Sequence, residues 1–129
     1  MTTRTATCQC GGLTATCEGE PDYVSLCSCR DCQRRTGSAF GLVAIYPRKA
    51  VVTAGAASAY PRVAESGNAS TMNFCPTCGS TVFWDRSGKP EIICIAVGAF
   101  ADPTMPTPVR TVYDEHRHPW IGFEAASRL

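Results

Sequence analysis

Three thiols stand within six residues in Cys27-Ser28-Cys29-Arg30-Asp31-Cys32. Thiols so close together make a poor disulfide framework, because the loops they would close strain the bridge geometry. They make a good metal knuckle instead: a tight turn can aim several sulfurs at one point, about 2.3 Å from a zinc ion. Two more pairs, Cys8-Gln9-Cys10 and Cys75-Pro76-Thr77-Cys78, flank this cluster. Together these thiols divide as four plus three, in which four close a tetrahedron and three leave a coordination position open to water or substrate. Spacing does not say which four. Cys8 and Cys10 can join Cys75 and Cys78. Alternatively, Cys29 and Cys32 can join Cys75 and Cys78 in a conventional double Cys-x-x-Cys site, leaving Cys8, Cys10 and Cys27 over.

An open position on a three-thiolate zinc holds a substrate thiol as thiolate, or polarises a carbonyl. Three thiolates on a divalent ion leave a formal negative charge, which favours a soft sulfur ligand over a potent hydroxide. The alternative is closure by histidine. The chain has His116 and His118, both in Asp114-Glu115-His116-Arg117-His118-Pro119, a charged stretch that reads as a solvated turn. Arg30, Arg34 and Arg35 crowd the knuckle, either as a solvated edge or as a clamp for a substrate carboxylate. Trp84 and Trp120 read as core or rim aromatics. No Ser-His-Asp order, phosphate-cradling Gly-rich loop or HExxH helix is present.

The net charge is +1 with 18% charged residues, which argues against a nucleic-acid footprint. The N-terminal stretch has no apolar core of the kind a secretory signal carries, and no apolar run nears the roughly 20 residues of a membrane span. The expected location is the reducing cytoplasm, where clustered cysteines serve as metal ligands rather than bridges. Length and composition predict one domain over residues 1–129.

The elements that must position the thiols are mostly strands. Thr3 to Thr7 is β-branched and short; Cys8 to Gly12 is a turn; Leu13 to Glu18 alternates with Leu13, Ala15 and Cys17 on one face. Cys17 reads as core. Tyr23 to Leu26 leads into the central knuckle, and Gln33 to Ser38 reads as one helical turn ending at Gly37. Ala39 to Tyr46 is an apolar strand ended by Pro47, with shorter strands at 50–54 and 57–60. Residues 61–70 read as a loop. Ser70 to Phe74 and Thr81 to Asp85 flank Cys75 and Cys78 as in a zinc ribbon. Glu91 to Phe100 is the longest apolar strand, with Cys94 as a core thiol, and the prolines of 102–108 make a connector. The predicted fold is mainly β, built of several short antiparallel sheets with zinc knuckles.

Three segments together carry a resemblance. Cys8-x-Cys10-Gly11, Cys27-x-Cys29-x-x-Cys32-Gln33-x-x-Thr36-Gly37-Ser38-Ala39-Phe40 and Phe74-Cys75-x-x-Cys78-Gly79-Ser80 strongly resemble the glutathione-dependent formaldehyde-activating enzyme family, and Pro119-Trp120 looks like that family's usual ending. The resemblance implies a tent-shaped β fold, the β-tent. It implies a structural zinc on Cys8, Cys10, Cys75 and Cys78 and a catalytic zinc on Cys27, Cys29 and Cys32. It implies carbon–sulfur lyase chemistry, the joining of formaldehyde to glutathione as S-hydroxymethylglutathione or the reverse. Where the family often has histidine between the first two knuckle cysteines, this chain has Ser28. The partner expected is a small-molecule thiol such as glutathione, with no nucleic acid or membrane, and a homodimer is the assembly held open. The rival reading is a non-catalytic glutathione or thiol carrier, or an interaction module on a zinc scaffold.

Overall fold

The computed structural model describes residues 2–64 and 66–123. Among the described residues, ten strands and one α-helix follow in chain order: β1 (Thr3–Thr7), β2 (Thr14–Glu18), β3 (Tyr23–Cys27), α1 (Arg30–Thr36), β4 (Gly41–Pro47), β5 (Val51–Ala54), β6 (Ser58–Val63), β7 (Ala69–Phe74), β8 (Thr81–Arg86), β9 (Ile92–Ala96) and β10 (Arg110–Val112). The protein is mainly β, as its short β-branched and alternating runs predict.

The strands form two sheets. A three-stranded sheet has the order β1-β2-β5, and a seven-stranded sheet runs β10-β3-β4-β9-β8-β7-β6. Every pairing is antiparallel except β10 on β3, which is parallel. That exception follows from the proline-rich connector before β10, which brings the chain back beside β3 without a tight hairpin.

Side-chain alternation gives the large sheet two different faces. Val24, Ala44, Tyr46, Ile93 and Ile95 point to the small sheet and pack with Ala6, Leu13, Ala15 and Cys17 in the main core, which Val82 joins from the irregularity in the β7–β8 pairing. The opposite face carries Ile45, Met72, Trp84, Cys94 and Ala96, a second and smaller apolar cluster. Cross-strand neighbours on this second face line up in rows: Met72 with Trp84, Trp84 with Cys94, Cys94 with Ile45. A further row places Arg62 beside Ser70 and Ser70 beside Arg86.

Several elements differ from the sequence reading. The helix starts at Arg30, three residues before the predicted turn, because Cys29 caps it: the Cys32 backbone N–H donates to Cys29 Sγ at 3.3 Å. Gly37, with φ 70°, ends it as predicted. The predicted loop over 61–70 is shorter than expected, since β6 continues through Pro61 to Val63 and β7 begins at Ala69. Proline is accommodated there because β6 is the sheet's edge strand. The long apolar strand ends at Ala96, and Val97–Phe100 winds into a 3-10 turn that buries Phe100.

Candidate metal centre

The β1–β2 turn carries Cys8 and Cys10, and the β7–β8 turn carries Cys75 and Cys78. The fold brings these four thiols together, with their sulfurs all within 4.8 Å of one another. Cys8 Sγ lies 3.7 Å from Cys10 Sγ, and Cys10 Sγ lies 3.5 Å from Cys75 Sγ. Four sulfurs at 2.3 Å from one zinc would sit about 3.8 Å apart along the tetrahedron's edges. The donor set therefore fits a single enclosed metal ion, and all-thiol ligation is compatible with zinc. Backbone amides support the sulfurs: Leu13 N–H donates to Cys8 Sγ at 3.2 Å and Thr77 N–H to Cys75 Sγ at 3.4 Å. Ser80 Oγ stands 3.4 Å from Cys78 Sγ, and the hydrogen bonds from its hydroxyl and backbone hold the Cys78 thiol down at about 5. This cluster ties the small sheet to the far half of the large one.

The second cluster comprises Cys27 at the end of β3, Cys29 at the cap of α1 and Cys32 in its first turn, again with sulfurs within 4.8 Å of one another. Helix capping and metal-ligand geometry thus use the same short segment. Among the described residues, no histidine or carboxylate joins this trio. Cys29 and Cys32 are buried, while Cys27 is half-buried. The Cys32 thiol is held down at about 5, first by the hydrogen bond from Cys27, then by Cys29 and by the charges of Arg35 and Arg62, all against the effect of burial. Its hydrogen bond with Cys32, together with burial, pushes the Cys27 thiol up. Three sulfurs so close together form a donor set that a metal ion fits.

The trio borders a cavity of about 140 Å³ on the second face of the large sheet. Its walls include Ile45, Trp84, Cys94 and Val112, with Arg35, Arg62 and Arg86 as the charged groups. Arg35 stacks over Trp84, its guanidinium carbon 4.6 Å from the ring centroid.

Of the arginines that crowd the knuckle in sequence, Arg35 lines this cavity while Arg30 and Arg34 are exposed. Arg62 and Arg86 are cavity residues that the sequence reading missed. The signal for Arg62 was faint, because Pro61 and a glycine-containing stretch masked strand β6. Trp84 is a core aromatic that also forms a cavity wall, and Trp120 is 74% exposed at the rim, edge-on to the His118 ring. His118 Nε2 pairs with Gln33 Oε1 at 2.9 Å, and the Gln33 side-chain amide donates to the backbone oxygens of Ser28 and His116. The two histidines thus belong to a segment clasped onto α1, and the His116 ring stacks on Tyr113. Cys17 and Cys94 are buried core thiols, each pushed up to about 12 by burial.

The sequence profile of the glutathione-dependent formaldehyde-activating enzymes matches residues 3–116, which spans both cysteine clusters and all ten strands. The chain belongs to that family. Within the matched span the clustered thiols converge as four and three. Among solved structures, the chain resembles a Rhodobacter sphaeroides protein determined by crystallography in a structural-genomics programme, with a TM-score of 0.58 and 23% identity. The match covers 74% of this chain and 85% of that one and speaks for the shared fold alone. No curated protein matches the chain. Among the described residues, no helix is long and apolar enough to cross a membrane.

Proposed function

We propose that this chain is a two-zinc carbon–sulfur lyase that joins a small thiol, glutathione in the family's case, to formaldehyde. Cys8, Cys10, Cys75 and Cys78 hold a structural zinc; Cys27, Cys29 and Cys32 hold a catalytic one. The single observation that carries this reading is the asymmetry between the clusters. Four sulfurs surround one point, whereas the other three face a cavity with no fourth side-chain ligand among the described residues.

A zinc ion held by Cys27, Cys29 and Cys32 would supply an electrophilic position favouring a deprotonated substrate thiol. The protein supplies the rest. Arg35 and Arg62 place positive charge beside the trio, offsetting the excess thiolate charge and favouring an anionic sulfur in the cavity. Trp84, Ile45 and Val112 give that cavity apolar walls, which keep water from competing with the sulfur. In the reaction the thiolate adds to the aldehyde carbon. The thiol has released its proton to solvent on forming the thiolate; a carbon–sulfur bond then forms, the carbonyl π pair moves to oxygen, and that oxygen takes one proton back from solvent to give the hydroxymethyl thioether. The reverse step returns thiol and aldehyde.

The test is the rate of adduct formation. Two-dimensional NMR exchange between thiol, formaldehyde and adduct should show turnover faster than the spontaneous rate with the zinc-loaded protein, and the spontaneous rate with Cys29→Ser. An unaccelerated exchange refutes the lyase assignment. A second reading, a thiol carrier, draws on one observation: the described cavity walls hold no imidazole or carboxylate to move a proton. Thiol binding without acceleration favours it.

A further inference from the structure

The segment after β10 is tied to the three-sulfur knuckle through the side chain of Gln33, which follows Cys32 in α1. Its Nε2 donates to the Ser28 backbone oxygen at 2.8 Å and to the His116 backbone oxygen at 3.2 Å. Ser28 is the residue between Cys27 and Cys29, so the first of these bonds lands inside the knuckle. With both amide protons given to carbonyls, the Gln33 amide has one sensible orientation, because turning it over would set oxygen against two acceptor oxygens. Oε1 therefore faces His118 Nε2, 2.9 Å away. A carbonyl oxygen only accepts, so His118 Nε2 must carry a proton.

The same segment walls the cavity. Val112 stands opposite Cys27 in the parallel β10–β3 pairing, and the Ser28 N–H donates to its oxygen at 3.1 Å. Tyr113 then leaves β10 with φ 57° and ψ 44°, in the left-handed region. A tyrosine in that conformation is strained and persists only where its surroundings hold it. Here it is held from both sides. The Thr111 hydroxyl donates to Asp114 Oδ2 at 2.8 Å across the kink, and beyond it the Gln33 amide grips His116 and His118. Val112 and Tyr113 both line the cavity that the thiol trio borders. One amide thus joins the ligand-bearing turn to the far side of a strained cavity wall.

We propose that Gln33 is a positioning residue, a latch that holds the strap of residues 113–118 against the knuckle and keeps Tyr113 in the wall of the three-sulfur site. The inference rests on the metal reading of the trio given above and adds what guards that site. Gln33 acts through the Ser28 carbonyl on one side and Tyr113 on the other. With the latch cut, Tyr113 relaxes out of the left-handed region and the cavity opens to solvent and to small chelators.

Zinc release to a chromophoric chelator tests this on the zinc-loaded protein. Gln33→Met keeps side-chain length and helix preference while removing the amide. The zinc of the three-sulfur site, identified as the one missing from Cys29→Ser, should then leave about tenfold faster or more, the effect of losing the hydrogen bonds of one amide. The four-sulfur zinc should leave at its unaltered rate, which a general loss of stability would not allow. Equal acceleration of both ions, or of neither, overturns the latch. His118→Ala leaves Gln33 on its two carbonyls and should give a smaller acceleration of the same ion; should Gln33→Met fail to fold, no acceleration in His118→Ala overturns the proposal. Long-range proton–nitrogen NMR above the ordinary histidine pKa range supplies a readout independent of metal. A protonated Nε2 on His118 is expected, and an unprotonated Nε2 overturns the clasp. A protein that loads only one zinc refutes the trio as a metal site, and this role for Gln33 falls with it.

Discussion

Replacing Cys8 by serine tests what the four-thiol cluster does for the fold. Cys8 is 4% exposed, lies in the main core and receives the Leu13 N–H through its sulfur. The small sheet contributes Ala6, Leu13, Ala15 and Cys17 to that core, and only Leu13 among them is a large aliphatic side chain. Its burial contributes about 2 kcal/mol. A structural zinc site is worth on the order of 10 kcal/mol in small zinc domains, against a total stability of about 5–15 kcal/mol. On the proposed reading, a metal at this cluster, more than apolar contact, would hold the small sheet in place. If serine removes even half of the site's contribution, the loss is about 5 kcal/mol, equivalent to a fall in Tm of about 20 °C for a chain of this size. The assay is thermal unfolding followed by circular dichroism, with zinc content measured on the same samples. Cys29→Ser is the control. Serine is itself a favoured helix cap, so α1 should keep its start while the second zinc is lost, and Tm should fall by only a few degrees. A Cys8→Ser protein that melts with the unaltered one and keeps its zinc refutes the reasoning. So does a Cys29→Ser protein that loses as much stability as Cys8→Ser.

Three further outcomes are expected. Cys17 and Cys94 are raised to about 12 from the ordinary value of 9.0, so between those pH values the folded protein keeps protons that the unfolded chain has released. Their contribution is whole below pH 9 and falls as pH rises, so the urea midpoint should drop from pH 8.5 to pH 10.5, and a flat or rising midpoint contradicts it. Trp84→Ala should cost about 3–5 kcal/mol in urea unfolding, because it opens a cavity in the second cluster and removes the ring under Arg35; a loss below about 1 kcal/mol would show that the cluster is not close-packed. Gly55 has φ +100°, and a Cβ there would lie 1.9 Å from the Gly12 backbone oxygen. Gly55→Ala should therefore lower Tm and loosen the β1–β2 turn that carries Cys8 and Cys10, whereas an unchanged Tm argues against that close approach.

The thiols were the most legible part of the chain. Their spacing marked seven candidate ligands dividing as four plus three, and the alternation of Leu13, Ala15 and Cys17 marked which face of β2 is buried. Which four sulfurs meet was not legible from spacing, because it depends on the β1–β2 and β7–β8 turns arriving at one place. The start of α1 was hidden because cysteine is an uncommon cap, and its sulfur does that work here beside its place in the trio. Ile92 to Phe100 is apolar throughout, and a buried strand and a buried 3-10 turn look alike at that composition. Arg62 escaped notice because its strand contains a proline and lies at an edge. Its importance comes from the cross-strand row with Ser70 and Arg86, which local pattern does not contain. The cavity is therefore a product of tertiary pairing, although the thiols on its border are written in short motifs.

Zinc K-edge X-ray absorption on the fully loaded protein, before and after a saturating thiol, addresses the open three-sulfur site directly. With one four-sulfur and one three-sulfur ion, the average sulfur coordination per zinc should be about 3.5, rising to about 4 when the thiol binds. A value fixed at 4 from the outset, or a nitrogen ligand unmoved by thiol, would contradict it.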